Sequence, residues 1–190
     1  MKKLLIISST KNSNYDLSQD IKSYFDNKED ISCSVISLEE FDLPLYRPEL
    51  EEKFKASSSF PVDIDKVKSF IVKSDALIWC SPEYNGGVSP ILTNMIAWIS
   101  RATDDWREGF KDKHSLVCSS SGGNGKHFIE GFTLQLSYLG SKVMDKSIIK
   151  TKKNDITKSD FDGILSDFYI LFNKVLIFLP NSLCYKCKLS

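Results

Sequence analysis

Ser9, Thr10, Lys11, Ser13 and Asn14 crowd into one polar stretch, SSTKNSN at residues 8–14, directly after the apolar run KLLIIS. Hydroxyls, an amide, an ammonium group and the backbone N–H groups that open a helix together make an anion-binding concavity, and a phosphate fits it. Two similar stretches follow other apolar runs. SPEYNGG (81–87) carries Pro82, Glu83, Tyr84, Asn85, Gly86 and Gly87, and SSSGGNGK (119–126) carries Ser121, Gly122 and Gly123. Tyr84 and Asn85 set a flat apolar surface beside hydrogen-bonding groups. Gly86 and Gly87 permit positive φ and close approach of a ligand, and the mixture suits a heteroaromatic ring. No G-x-x-x-x-G-K-[ST] occurs, and the first loop lacks the G-x-G-x-x-G that a dinucleotide pyrophosphate requires, so a nucleotide with a single phosphate is the expected ligand. His114 starts a strand and His127 lies one turn into a helix, placements that read as structural or exposed rather than catalytic.

The elements that must hold these loops alternate in type. Apolar strands are expected at 3–8, 31–37, 75–80, 114–120 and 142–150, separated by helical periodicity. Leu17, Ile21, Tyr24 and Phe25 mark the first helix; Ile64, Val67 and Ile71 the second; Ile91, Leu92, Met95, Ile96 and Ile99 the third, with Ser89 as N-cap and Pro90 as first residue. Phe128, Phe132, Leu136 and Leu139 mark the fourth, closed by Gly140, and a stripe from Phe161 to Leu176 that includes Val175 marks the fifth. The connection from Leu38 to about Pro61 is expected to be irregular, with Pro44 and Pro48 stopping regular structure and SSSF mobile. Strict alternation predicts an α/β fold: a doubly wound, five-stranded parallel sheet of order 2-1-3-4-5, helices on both faces, with ligands beyond the C-terminal strand ends. The three polar loops would then converge on one edge.

One domain spanning all 190 residues is expected. With 25 basic and 25 acidic side chains the net charge is zero, so bulk attraction to nucleic acid or an anionic membrane is not expected. The apolar run at the N-terminus is too short for a signal peptide, and a cytoplasmic protein is expected. Cys33, Cys80, Cys118, Cys184 and Cys187 do not suggest a disulfide framework. The C-terminal LCYKCK could supply only half of a tetrahedral zinc set, and about 180–190 reads as a flexible tail. Asn94, Trp98 and Arg101 fall on a helical face away from the apolar stripe and read as a contact surface.

PEYNG followed by LTNMIAWISR resembles the P-E-Y-N-x-x-x-x-x-L-K-N-x-x-D-W-x-S-R of the NADPH-dependent FMN reductases of flavodoxin-like fold, which include quinone, azo-dye and chromate reductases. The family's G-S-x-R-x-x-S-x-N is recognisable in SSTKNSNYD, with Ser8 for Gly, Lys11 for Arg, Asn14 for Ser and Asp16 for Asn; Thr93 and Ala97 also depart from the second motif. The resemblance runs from about residue 4 to 140. It implies FMN with its phosphate at Ser9, Lys11 and Asn14, and its ring against Pro82, Glu83, Tyr84, Asn85 and Gly86 and against Ser121, Gly122 and Gly123. Tyr84 would shape the flavin face, and no side chain is singled out as a nucleophile. It also implies NADPH or NADH as co-substrate, a quinone, azo compound, metal oxyanion or free flavin as acceptor, and a homodimer or homotetramer pairing through Asn94, Trp98 and Arg101. An FMN electron carrier and a non-enzymatic flavin-binding protein are the alternatives.

Overall fold

The computed structural model describes residues 1–152 and 155–173. Val175, Leu176, Cys184, Cys187 and the expected tail at 180–190 lie outside the described residues. The chain order is β1 (Lys2–Ser8), α1 (Ser13–Phe25), β2 (Ile31–Ser37), a 3-10 turn (Leu38–Glu40), α2 (Pro48–Ala56), α3 (Val62–Val72), β3 (Ala76–Cys80), α4 (Pro90–Ala102), β4 (His114–Ser121), α5 (Lys126–Tyr138), β5 (Lys142–Val143), β6 (Ile148–Thr151) and α6 (Lys158–Asn173).

All pairings between these strands are parallel, in the order β2-β1-β3-β4-β5, and β6 also pairs with β4. Strands buried on both faces need apolar side chains on both, which is why β1 and β3 read as continuous runs instead of alternating ones. Leu4, Ile6, Ala76, Ile78, Leu116 and Ile148 pack against α1 and α6 on one face. Leu5, Ile7, Leu77, Trp79 and Val117 pack against α3, α4 and α5 on the other. This is the flavodoxin-like doubly wound architecture expected from the alternation of elements.

Two departures have physical causes. The expected fifth strand is split: Lys142–Val143 pairs with His114–Ser115, and Ile148–Thr151 pairs with Cys118–Ser121. Between them, Lys146 turns outward to Asp167 at 2.6 Å, and a sheet edge tolerates such a break because it has no outer partner to lose. The connection after β2 also contains a helix. Pro48 sits at its first position, where a missing N–H costs nothing, so it starts α2 instead of stopping structure. Glu49 and Glu51 in the first turn and Lys53 and Lys55 in the last match the helix dipole. The SSSF stretch, expected to be mobile, is a hydrogen-bonded turn with Ser59 N–H on Phe54 O at 3.1 Å.

That connection changes the reading of α4. Trp98 is fully buried, ringed by Tyr46, Phe54 and Phe60 at centroid distances of 5.2, 5.6 and 6.5 Å. Its indole N–H donates to Pro44 O at 2.6 Å, while the Asn94 amide accepts from Tyr46 N–H at 2.7 Å and donates to Leu43 O and Pro44 O. Arg101 reaches Glu51 at 3.4 Å. The face expected to contact another subunit is therefore occupied by residues 43–60 of the same chain. A helical pattern reveals a second non-solvent face without saying what covers it.

Candidate functional site

Parallel strands deliver the loops after β1, β3 and β4 to the same edge, and a few buried polar contacts then fix them to each other. Ser9 Oγ donates to Ser81 Oγ at 2.9 Å, and Ser81 Oγ is 2.9 Å from Ser89 Oγ, the N-cap residue of α4. All three serines are buried. Hydroxyls suit this position because each can donate and accept at once.

Asn14 makes the longest-range link. Its side chain is fully buried; Oδ1 accepts from Ser120 N–H at 2.8 Å and Nδ2 donates to Ser120 O at 2.9 Å. Both polar ends of the amide are thereby committed to the end of β4. Around it, Asn12 caps α1, its Oδ1 accepting from Thr10 Oγ1 at 2.6 Å and from Asn14 N–H at 3.4 Å. Among the described residues no protein acceptor faces the backbone N–H of Thr10, Asn12 or Ser13. With the positive end of α1 behind them, these donors could serve as an anion cradle, with Lys11 and Ser13 exposed at its rim.

The second loop turns back on itself. Tyr84 and Gly87 exchange both backbone hydrogen bonds, at 3.1 and 3.0 Å, across Asn85 (φ 51°) and Gly86 (φ 71°). Positive φ at both central residues is the two-residue turn that Asn-Gly favours. Conformational freedom is thus used at Asn85 and Gly86, and Gly87 does not need it. Tyr84, Asn85 and Gly86 are exposed, whereas Pro82 is buried under the turn.

Glu83 points inward. Its carboxylate Oε2 accepts from the backbone N–H groups of His127 (2.9 Å) and Phe128 (3.3 Å) in the first turn of α5, and its own N–H donates to Ser121 Oγ at 2.8 Å. A carboxylate from another loop thus caps α5, a place where Gly125 offers no side chain. Ser121 is further held by Ser119 Oγ at 2.8 Å. Gly122, Gly123 and Asn124 form the exposed tip, and a Cβ added at Gly122 would meet only open space.

Of the residues singled out from the sequence, Lys11, Tyr84, Asn85, Gly86, Gly122 and Gly123 lie exposed on this one edge. Ser9, Asn14, Glu83 and Ser121 lie beneath it and tie the loops together. His127 is exposed with Nδ1 3.7 Å from Glu83 Oε1, and His114 sits at the other end of β4, where burial, then Lys142 and Lys2, push its pKa below the ordinary value. The half-buried Cys33 thiol is pushed up to about 12, mainly by burial, and Cys80 and Cys118 are buried free thiols. Ser81, Ser120, Glu39 and Glu40 also serve this edge; nothing in their spacing marks them, because they reach partners far away in sequence, and Ser89 was marked only as the N-cap of α4.

A Gly86→Val change is expected to strain the turn by roughly 1–2 kcal/mol, since an L side chain opposes left-handed backbone and a β-branched one more so. Flavin affinity is expected to fall severalfold, and the unfolding temperature by roughly 2–8 °C. Wild-type flavin affinity in this variant would reduce the corner to a mere connection.

The profile of the family described as NADPH-dependent FMN reductase matches residues 1–155. NADPH:quinone oxidoreductase of Arabidopsis thaliana is 32% identical over 83 residues, 44% of this chain and 38% of the relative, so the match spans less than two fifths of that relative's length. Among solved structures, FerB, a flavoenzyme NAD(P)H:(acceptor) oxidoreductase from Paracoccus denitrificans, superposes with a TM-score of 0.70 at 19% identity, over 90% of this chain and 95% of FerB. A flavodoxin from the domain Archaea gives 0.59 at 13% identity, over 90% and 99% of the two chains.

Proposed function

Because this chain belongs to the NADPH-dependent FMN reductase family, we propose that it is an NAD(P)H-dependent oxidoreductase that holds FMN on the edge formed by the loops after β1, β3 and β4. The observation that carries this reading is the convergence of an anion cradle, an exposed Tyr84 on a rigid turn and an open glycine tip. Thr10, Asn12 and Ser13 N–H groups would hold the phosphate with Lys11 nearby, and the Tyr84–Gly87 turn and Gly122–Asn124 would flank the ring. FMN bound there would supply the redox chemistry between a nicotinamide and an acceptor. The chain supplies orientation: the serine contacts, Asn14 and Glu83 keep the three loops in one arrangement, so little ordering remains to be done on binding. A quinone is the favoured acceptor, supported by the name of the Arabidopsis relative.

A homodimer or homotetramer and a cytoplasmic location belong to the same proposal. Exposed Leu134 and Tyr138 on α5 support self-association better than Asn94 and Trp98, whose polar atoms are spent within the chain. No helix among the described residues is long and apolar enough to cross a membrane.

The protein loaded with FMN and mixed anaerobically with NADPH or NADH is expected to lose its oxidised-flavin absorbance and to regain it on addition of a benzoquinone. FMN binding without reduction by either nicotinamide would favour an electron carrier. Failure to bind FMN would end both readings.

A further inference from the structure

The cradle has an acidic neighbour that bonds to its own loop. Lys11 N–H, in the middle of the loop after β1, donates to the Glu39 carboxylate, and Lys11 Nζ lies 3.2 Å from Glu40 Oε1. Both glutamates belong to the 3-10 turn Leu38–Glu40 at the end of β2, the strand beside β1. That turn is fixed. Leu38 is fully buried, packed in the core with Val67 and Ile71, and Phe41 N–H closes onto Leu38 O at 3.2 Å. Ser8 and Ser37 pair in register, so the two strand ends carry the cradle and the two carboxylates side by side.

A carboxylate on a backbone N–H near a helix N-terminus makes the same kind of charge-assisted bond that a phosphate makes there. Glu39 therefore sits on the one backbone donor between the cradle's Thr10 and Asn12, and Glu40 takes the loop's ammonium group, Lys11. A phosphate monoester must displace one or both, or sit beside two negative charges. A flavin without a phosphate meets neither cost. The Lys11–Glu40 pair is about half exposed and by itself worth little, but its combination with Glu39 leaves no unopposed positive charge on the loop.

We propose that Glu39 and Glu40 form an intramolecular anion latch on the loop after β1, which selectively weakens binding of the phosphorylated flavin and makes FMN an exchangeable ligand rather than a permanently held one. The proposal rests on the assignment of FMN phosphate to this loop. Glu39 and Glu40 are specificity-determining residues in this reading, acting on the phosphate end and not on the ring.

Titration of the flavin-free protein with FMN and, separately, with riboflavin, followed by flavin fluorescence, tests it. E39Q, E39A, E40Q and the E39Q/E40Q pair are compared with wild type and with K11E. The double variant is expected to bind FMN about tenfold more tightly, since like charges a few ångström away near a surface act with about that strength, while riboflavin affinity stays within about twofold. Unchanged FMN affinity in the double variant, or an equal gain for both flavins, would overturn the latch. K11E separates the two levels of the argument: a selective loss of FMN there supports phosphate at this loop whatever the glutamates do. Equal or no loss for the two flavins in K11E would overturn the phosphate assignment itself, and the latch with it.

Discussion

Replacing Trp98 with alanine is expected to cost about 3–5 kcal/mol, the range for emptying a buried tryptophan site, and to lower the unfolding temperature by on the order of ten degrees. The side chain is fully buried between α4 and the 43–60 connection, and three rings lose their common partner when it goes. Its N–H bond to Pro44 O goes with it. Because the connection is held to α4 chiefly by this cluster and by Asn94, protease cleavage within residues 43–60 should appear well below the unfolding temperature. Trp98→Phe is the control. It keeps most of the ring volume, and Pro44 O still accepts from Asn94 Nδ2 at 3.1 Å, so a loss of only about 1–2 kcal/mol is expected. Thermal unfolding and limited proteolysis read both variants. A Trp98→Ala protein as stable as wild type would mean that the connection is not anchored there, and a stable variant that merely changed its oligomeric state would restore the contact-surface reading of this face.

Asn14→Ala is the second large effect. It strips both partners from the backbone of Ser120, a residue half-buried at the end of β4, and such unsatisfied groups cost about 1–3 kcal/mol each. The unfolding temperature is expected to fall by several degrees. The effect on flavin separates two roles for this residue. Since both ends of the amide are committed to Ser120, the change should loosen the loop after β4 against the start of α1 and weaken FMN and riboflavin together. A loss confined to FMN would show that Asn14 touches the phosphate directly. Asn14→Asp sharpens the comparison: it keeps an acceptor for Ser120 N–H but turns the other bond into a carboxylate facing a carbonyl in a buried place, so it should be at least as destabilising as alanine. Calorimetry and parallel titrations with the two flavins distinguish these outcomes.

Much of the fold could be read from local pattern. β1 and β3 are buried on both faces and must be apolar throughout, and the helices between them carry stripes at helical spacing, so alternation alone led to the order of the strands. The split between β5 and β6 was not legible, because Met144 and Ser147 differ little from strand residues and the two halves pair with different stretches of β4, His114–Ser115 and Cys118–Ser121. α2 was hidden by Pro48, whose meaning depends on whether it falls at the first helical position or inside a helix. At the candidate site, Gly86 was legible as a position that needs positive φ, Gly87 does not need it, and Tyr84 and Asn85 stood out only by residue type. The inward roles of Glu83, Asn14 and the serines did not, since a hydroxyl or carboxylate looks the same in sequence whether it faces a ligand or a backbone N–H from a loop dozens of residues away.

The bond between Asn14 and Ser120 joins residues 106 positions apart. During synthesis the anion cradle leaves the ribosome with the first fourteen residues, yet the strand that steadies it is not made until more than half the chain has followed. Until β4 docks, α1 has no partner for its buried amide, and the cradle's donors are held only by local contacts. A nascent chain ending before residue 120 should therefore be blind to flavin, and competence should arrive in one late step, when the sheet closes over β1 and β3. Flavin supplied during synthesis is therefore expected to raise the yield of this protein only after that step, and to leave the earlier part of the folding route unchanged.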